Sequence, residues 1–214
     1  MLRKRLSRRL FPLVASVFFA SCGGNGDGKV NLSWKENASN VQNSFDVKFY
    51  VENSGSMNGY LCDGSSFKNV IHYYANELEN IADTTSLFFL NSQVIPFKDD
   101  IDDYTLKMTP QTFDKLGGNT SSSSLDKMLG MVINNMNNST VSVFVSDCIL
   151  GVPYGQADKY FSIAKDNVKK LFVNALKKHK DLGVEIFCLN SRFKGKYYQY
   201  GKTPQQIDTQ RPYY

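Results

Sequence analysis

The chain has 214 residues, of which 42% are hydrophobic, 21% charged and 13% aromatic. That is one domain's worth of material with a core of ordinary size, and too apolar for a disordered chain. The formal charge of +5 suggests a nucleic-acid partner until its location is read. Arg3, Lys4, Arg5, Arg8 and Arg9 supply five positive charges, and residues 1–21 contain no acid. Without those five, the 25 basic residues fall to 20 and match the 20 acidic ones. The basic balance belongs to the leader, and no nucleic-acid partner is expected.

Residues 1–21 read as a secretory signal, with a basic start and an apolar run at residues 10–20. Eleven residues are too few to cross a hydrocarbon layer of about 30 Å as a helix, which takes roughly 20. The run ends in Phe19-Ala20-Ser21-Cys22, followed by Gly23 and Gly24. Small residues just before such a cysteine resemble a bacterial lipobox, in which the cysteine is lipidated and becomes the first residue of the mature protein. The plainer alternative is an ordinary signal peptide cut after Ala20 or Ser21. A lipidated Cys22 implies a membrane anchor in the cell envelope, with the outer membrane or cell surface favoured. Each buried acyl CH₂ contributes about 0.8 kcal/mol to such an anchor. The following Gly-Gly-Asn-Gly-Asp-Gly-Lys is a flexible tether that continues to about Asn43, with Trp34 available to pin it back. Beyond Cys22 stand Cys62, Cys148 and Cys188, an odd number that cannot all pair internally.

From Phe45 onward, strand-like and helix-like segments alternate. Phe45, Val47, Phe49 and Val51 alternate with polar residues, which predicts a strand ending at Glu52. Phe67, Val70, Ile71, Tyr74, Leu78 and Ile81 fall on one helical face. Residues 86–90 are a short apolar strand, and residues 93–97 are a candidate return strand of a hairpin. Leu125, Met128, Leu129, Val132 and Met136 mark a second helix, with the preceding serines as N-cap candidates. Residues 141–146 form a β-branched and aromatic strand. Tyr160/Phe161, Ala164, Val168, Leu171/Phe172 and Ala175 stripe a long helix with Gly183 as its terminator. Residues 184–189 are expected to be a last buried strand.

This alternation predicts an α/β fold, doubly wound, with a mostly parallel sheet and helices on both faces. In such sheets ligands bind beyond the carboxyl ends of the strands, which directs attention to three loops. The first reads Val51-Glu52-Asn53-Ser54-Gly55-Ser56-Met57, the second Leu116-Gly117-Gly118-Asn119-Thr120, and the third Val145-Ser146-Asp147. Hydroxyls and carboxylates are hard oxygen donors suited to Mg²⁺ or Mn²⁺. Ser54 and Ser56, two apart, can both turn toward a cation at a strand tip. Gly55 and Gly118 are expected to let the backbone turn free of Cβ clashes.

The three loops, in this order, resemble the metal-ion-dependent adhesion site of the von Willebrand factor A domain family. That family places Asp-x-Ser-x-Ser after its first strand, a threonine in a Gly-Gly-containing loop, and an aspartate after its fourth strand. The resemblance spans about residues 45–190. It implies an ion held by Glu52, Ser54, Ser56, Thr120 and Asp147, whose shell is completed by an acidic side chain of another protein. Glu52 stands where the family has Asp, and its extra methylene moves the carboxylate by more than an ångström. The register of the second loop also leaves Asn119 or Ser121 as alternatives to Thr120. The competing reading is the same fold with its metal lost and its loop kept as a turn. Where the family adds a C-terminal helix, residues 191–214 are aromatic and basic with no apolar helical stripe. They are read as a packed strand, an aromatic binding surface, or the start of a longer continuation.

Smaller signals carry less. Asp99-Asp100-Ile101-Asp102-Asp103 lacks the ligand spacing of a Ca²⁺ loop and reads as a solvated acidic turn. Cys62 and Cys148 follow two of the site loops, so the fold would leave a disulfide between them open, while Cys188 is expected inside a core strand. His72 and His179 both lie on helices, away from the strand ends where a catalytic base is needed. The expected function is non-catalytic: divalent-cation-assisted binding of another protein on the envelope. A metal-free envelope scaffold is second, and a serine hydrolase using Ser54 or Ser56 is third.

Overall fold

A computed structural model describes residues 44–120, 124–150, 156–198 and 203–214. The proposed signal, Cys22 and the tether lie outside the described residues, as do Ser121 to Ser123. Strands β1 (Asp46–Glu52), β2 (Thr84–Leu90), β3 (Val94–Phe97) and β4 (Thr140–Val145) form one sheet in the order β3-β2-β1-β4. β1 runs parallel to both β2 and β4, while β2 and β3 form the antiparallel hairpin that residues 93–97 predicted. Pro96 is tolerated because β3 is an edge strand, where a missing N–H breaks no inner ladder.

Alternation along β1 and β2 divides two cores. Val47, Phe49, Val51, Leu87 and Phe89 face helix α1 (Phe67–Glu79), whose Phe67, Ile71 and Ala75 are buried against them. Tyr50 and Leu90 point the other way and pack with Met128 and Val132 of helix α3 (Leu125–Asn134). Helix α4 (Ala157–Lys178) lies on α3 along the later part of the predicted stripe, where Ala175 is buried, while Tyr160 and Phe161 are exposed. It ends at Lys178 with His179 as its C-cap, short of the expected terminator Gly183. Ser124 takes the N-cap position of α3, but its hydroxyl bonds the Asp126 carboxylate and not a backbone N–H.

The aspartates of the acidic run are exposed, as expected, but the run is not a turn. It folds as helix α2 (Ile101–Leu106), with the Asp100 carboxylate accepting the Asp103 N–H at 2.8 Å. Asp102 and Asp103 fill the first turn, where negative charge suits the helix dipole. Ile101 and Tyr104 anchor it, and the Tyr104 hydroxyl donates to the Phe88 carbonyl at 2.6 Å.

Residues 184–188 are a second correction. They form no strand, and Val184, Ile186 and Phe187 are 57%, 70% and 51% exposed. Cys188 is likewise exposed and not a core residue. Their apolar pattern supplies the propensity for a strand, but a strand also needs a partner edge, and no described strand pairs with them.

The chain instead turns at Leu189 into strand β5 (Leu189–Tyr197), which pairs antiparallel with β6 (Gln205–Tyr213). Phe193 and Tyr213 are wholly buried, so the tail is a packed hairpin in the same compact unit, residues 44–214. Two glycines let it close on the short 3-10 helix Met57–Leu61. A Cβ on Gly59 would stand 2.3 Å from the Phe193 ring, and one on Gly195 would stand 2.8 Å from the Gly59 Cα.

Gly59→Ala is therefore expected to destabilise the fold by about 1–3 kcal/mol through overpacking. Gly183→Ala, whose Cβ meets nothing within 4 Å, should stay within about 0.5 kcal/mol of the parent. Urea denaturation of both variants checks the contrast.

Candidate functional site

Because β1 and β4 are parallel neighbours in the register Val51↔Val145, their carboxyl ends deliver Glu52 and Ser146 side by side. The Ser146 hydroxyl donates to Glu52 Oε2, and both residues are buried. The next residues leave the sheet together. Ser54 Oγ and Ser56 Oγ are 2.9 Å apart, and the Ser56 hydroxyl donates to Asp147 Oδ1 at 3.3 Å. Asp147 Oδ1 also accepts the Ile149 N–H at 3.1 Å, while the Asp147 N–H meets Met57 Sδ at 3.2 Å.

The second loop joins through its backbone. The Gly55 N–H donates to the Thr120 carbonyl at 2.9 Å, which sets Thr120 against the first loop. Asn119 lies on the outside, its N–H donating to Ser92 Oγ at 2.8 Å. Ser121, the other alternative, lies outside the described residues. A pair of asparagines the sequence reading did not single out ties these loops together. Asn91 Nδ2 donates to Asn53 Oδ1 at 2.9 Å and to the Gly117 carbonyl at 2.8 Å, and Asn53 Nδ2 donates to the Phe113 carbonyl at 3.2 Å. Gly118 has φ +71, and a Cβ there would lie 1.9 Å from Asn91 Oδ1, so only glycine fits. Gly55 carries no such demand: its φ is not in the left-handed region and a Cβ would find its nearest neighbours at 3.7 Å.

The tip thus links Ser54, Ser56 and Asp147 through their side chains, while Thr120 joins through its backbone carbonyl and Glu52 is bonded to Ser146. It also brings a residue the sequence reading missed. Just past β6, Tyr214 exchanges both backbone hydrogen bonds with Ser146, each 2.8 Å, so the hairpin is fastened beside the end of β4. Three residues back, Arg211 places Nη1 3.9 Å from Asp147 Oδ2. Its guanidinium lies over the rings of Tyr197, Phe193 and Tyr60, at 4.5, 4.6 and 5.8 Å from their centroids. Nothing in the local sequence marks Arg211 for this position, because strand pairing and hairpin docking decide it.

Burial raises the Asp147 carboxyl pKa above its ordinary value, against the lowering effects of the Ile149 N–H, the Arg211 charge and the Ser56 hydroxyl. Asp147 Oδ2 and Arg211 Nη1 are both buried and neither makes a hydrogen bond. Cys148, beside them, holds φ +52, the only positive value at a non-glycine among the described residues. Cys62, Cys148 and Cys188 are all free thiols, so the Cys62–Cys148 disulfide left open above is not formed. The histidines are engaged elsewhere: His72 Nε2 stands 2.6 Å from Asp102 Oδ1, and His179 Nδ1 stands 2.6 Å from Asn138 Oδ1.

The donor set suits a small hard cation. Ligands at 2.0–2.1 Å in an octahedral shell sit about 3 Å from their cis neighbours, close to the Ser54–Ser56 and Ser56–Asp147 separations. Asp147 Oδ2 is a buried acceptor left without a hydrogen bond. Among the described residues no group of three or more His, Cys, Asp or Glu is placed to hold a metal. Any ion here would depend on serine hydroxyls. No protein-family model matches the chain, and a search of curated proteins finds no match to it.

The raised pKa carries a sign. The folded state holds the Asp147 proton more tightly than the unfolded chain, so this group's contribution to stability is greatest below its ordinary value of 3.8. It is lost as pH rises through the higher folded value. Asp147→Asn, fixed in the neutral form, is expected to flatten that loss in urea midpoints measured against pH in EDTA. An equal slope in the variant would assign it to another group.

Proposed function

We propose that the chain is a non-catalytic protein-binding module of the bacterial cell envelope, anchored through a lipidated Cys22 and assisted by a divalent cation. In this reading the α/β domain is a von Willebrand factor A-type fold, doubly wound around its parallel strands. Its metal-ion-dependent adhesion site is the tip of β1 and β4. The observation that carries the reading is the convergence of the serine loop, the Gly-Gly loop and Asp147 at the carboxyl ends of two parallel strands.

Ser54, Ser56 and Asp147 would hold Mg²⁺ or Mn²⁺, with Thr120 beside them and Glu52 set behind by its bond to Ser146. The ion, when bound, supplies an incompletely neutralised positive charge that captures a carboxylate from a partner protein. The chain's own residues do the rest. The asparagine pair and Gly118 hold the loops together, Met57 and Ile149 orient Asp147, and the buried walls keep the carboxylates out of bulk water. A metal-free scaffold of the same fold is the second reading, and Arg211 favours it, because a cation already stands 3.9 Å from Asp147.

A thermal melt of the full chain in Mg²⁺, in Mn²⁺ and in EDTA, with Asp147→Ala alongside, decides between them. Binding to the folded state alone raises stability by about 2.7 kcal/mol at an ion concentration a hundredfold above Kd. A rise in midpoint that Asp147→Ala abolishes is the expected result; a cooperative melt that no ion shifts would leave the scaffold. For the anchor, Cys22→Ser is expected to abolish fatty-acid labelling in bacterial cells and to move the protein from the membrane to the soluble fraction. Unchanged labelling would exclude Cys22 as the lipidated residue.

A further inference from the structure

We infer that Arg211 is a tethered competitor for the ion site: it occupies the cationic place at Asp147, and a divalent ion must displace its influence to bind. Arg211 is thereby the residue that sets the site's ion affinity. The inference rests on the metal-assisted reading above and adds to it a residue from outside the three loops.

Three observations carry it. The first is placement without dependence on the carboxylate. The Ser146–Tyr214 exchange fixes the end of β6, and the rings of Phe193 and Tyr197 hold the guanidinium at 4.6 and 4.5 Å. The aromatic faces attract the cation on their own account, so Arg211 has contacts at the site that do not depend on Asp147.

The second is the geometry of the pair. A guanidinium built to hold a carboxylate grips it with two short hydrogen bonds. The same hairpin supplies an example: Arg192 donates from Nε and Nη2 to the two Asp208 oxygens, each at 3.0 Å. Arg211 and Asp147 do not do this. Their nearest atoms are 3.9 Å apart and neither makes a hydrogen bond, although the Arg211 side chain is only 12% exposed and that of Asp147 is fully buried. Arg211 lends charge to the carboxylate without occupying its coordinating oxygen.

The third is charge accounting. Glu52 and Asp147 bring two carboxylates to the tip, and Arg211 is the cation paired with Asp147. A divalent ion entering beside an intact guanidinium meets repulsion at a few ångströms in a partly dry site. Arginine does not shed its proton at any ordinary pH, so the competition persists until the side chain swings away or is replaced.

The test measures Mn²⁺ binding to the full chain by calorimetric titration and by the loss of the free-ion signal in electron paramagnetic resonance. Arg211→Gln is expected to bind Mn²⁺ at least tenfold more tightly than the parent, and Arg211→Lys, which keeps the charge, within about threefold of it. Arg211→Met preserves the apolar stem against the rings and should match Arg211→Gln, which guards against a folding defect in either variant. Equal or weaker binding in both neutral variants, with Asp147→Ala still abolishing it, would overturn the role of Arg211 while leaving the ion site standing. No binding in the parent or in any Arg211 variant would overturn the ion site, and this inference with it.

Discussion

Two carboxylates, Glu52 and Asp147, are buried together at the carboxyl end of the sheet, and the surrounding structure is organised around making that tolerable. Taking an ion out of water costs several kcal/mol even after the protein relaxes. Glu52 receives the Ser146 hydroxyl, and Asp147 receives Ser56, the Ile149 N–H and the nearby charge of Arg211. At 3.9 Å and an effective dielectric of 20, the attraction between Arg211 and Asp147 is about 4 kcal/mol. Burial outweighs this attraction even together with the Ile149 N–H and the Ser56 hydroxyl, which is why the Asp147 pKa stays raised. The ion pair is compensation for burial.

The compensation depends on the C-terminal hairpin. β5 and β6 reach the tip because Gly59 and Gly195 permit backbone-to-backbone approach, and because Phe193 and Tyr213 bury themselves against Tyr60 and Phe67. The Ser146–Tyr214 exchange then sets the last residues of β6 in register with the end of β4. The hairpin therefore closes the first core and also delivers Arg211. These two roles are mechanically linked, since a shift of one residue along β6 would turn the arginine to the opposite face.

Much of the architecture was legible in the residue pattern. β1, α1, the β2–β3 hairpin, α3, β4 and α4 all lie close to where the residue pattern placed them, although α4 stops at Lys178 and not at Gly183. The site was legible in part. Ser54, Ser56 and Asp147 converge as their loops suggested, since parallel strands necessarily bring their carboxyl ends to one edge. Glu52 turns to Ser146, and Gly55 is under no steric demand. The acidic run at residues 99–103 becomes a helix because Asp100 caps it and the buried Ile101 and Tyr104 anchor it, a tertiary contact that the run of charges does not announce. Residues 184–188 form no strand because strand propensity does not supply a partner strand.

By itself, the sequence determined the local elements, the order of the three loops and the hard-oxygen character of the donors, since these follow from side-chain chemistry and short-range period. Tertiary structure alone decided which cation stands at Asp147. Arg211 is 64 residues away along the chain, in a tail whose pattern announces neither hairpin nor site. Its position follows from strand register, from two glycines at a close contact and from one pair of backbone hydrogen bonds. These are long-range constraints, and no local window of the sequence contains both of their ends.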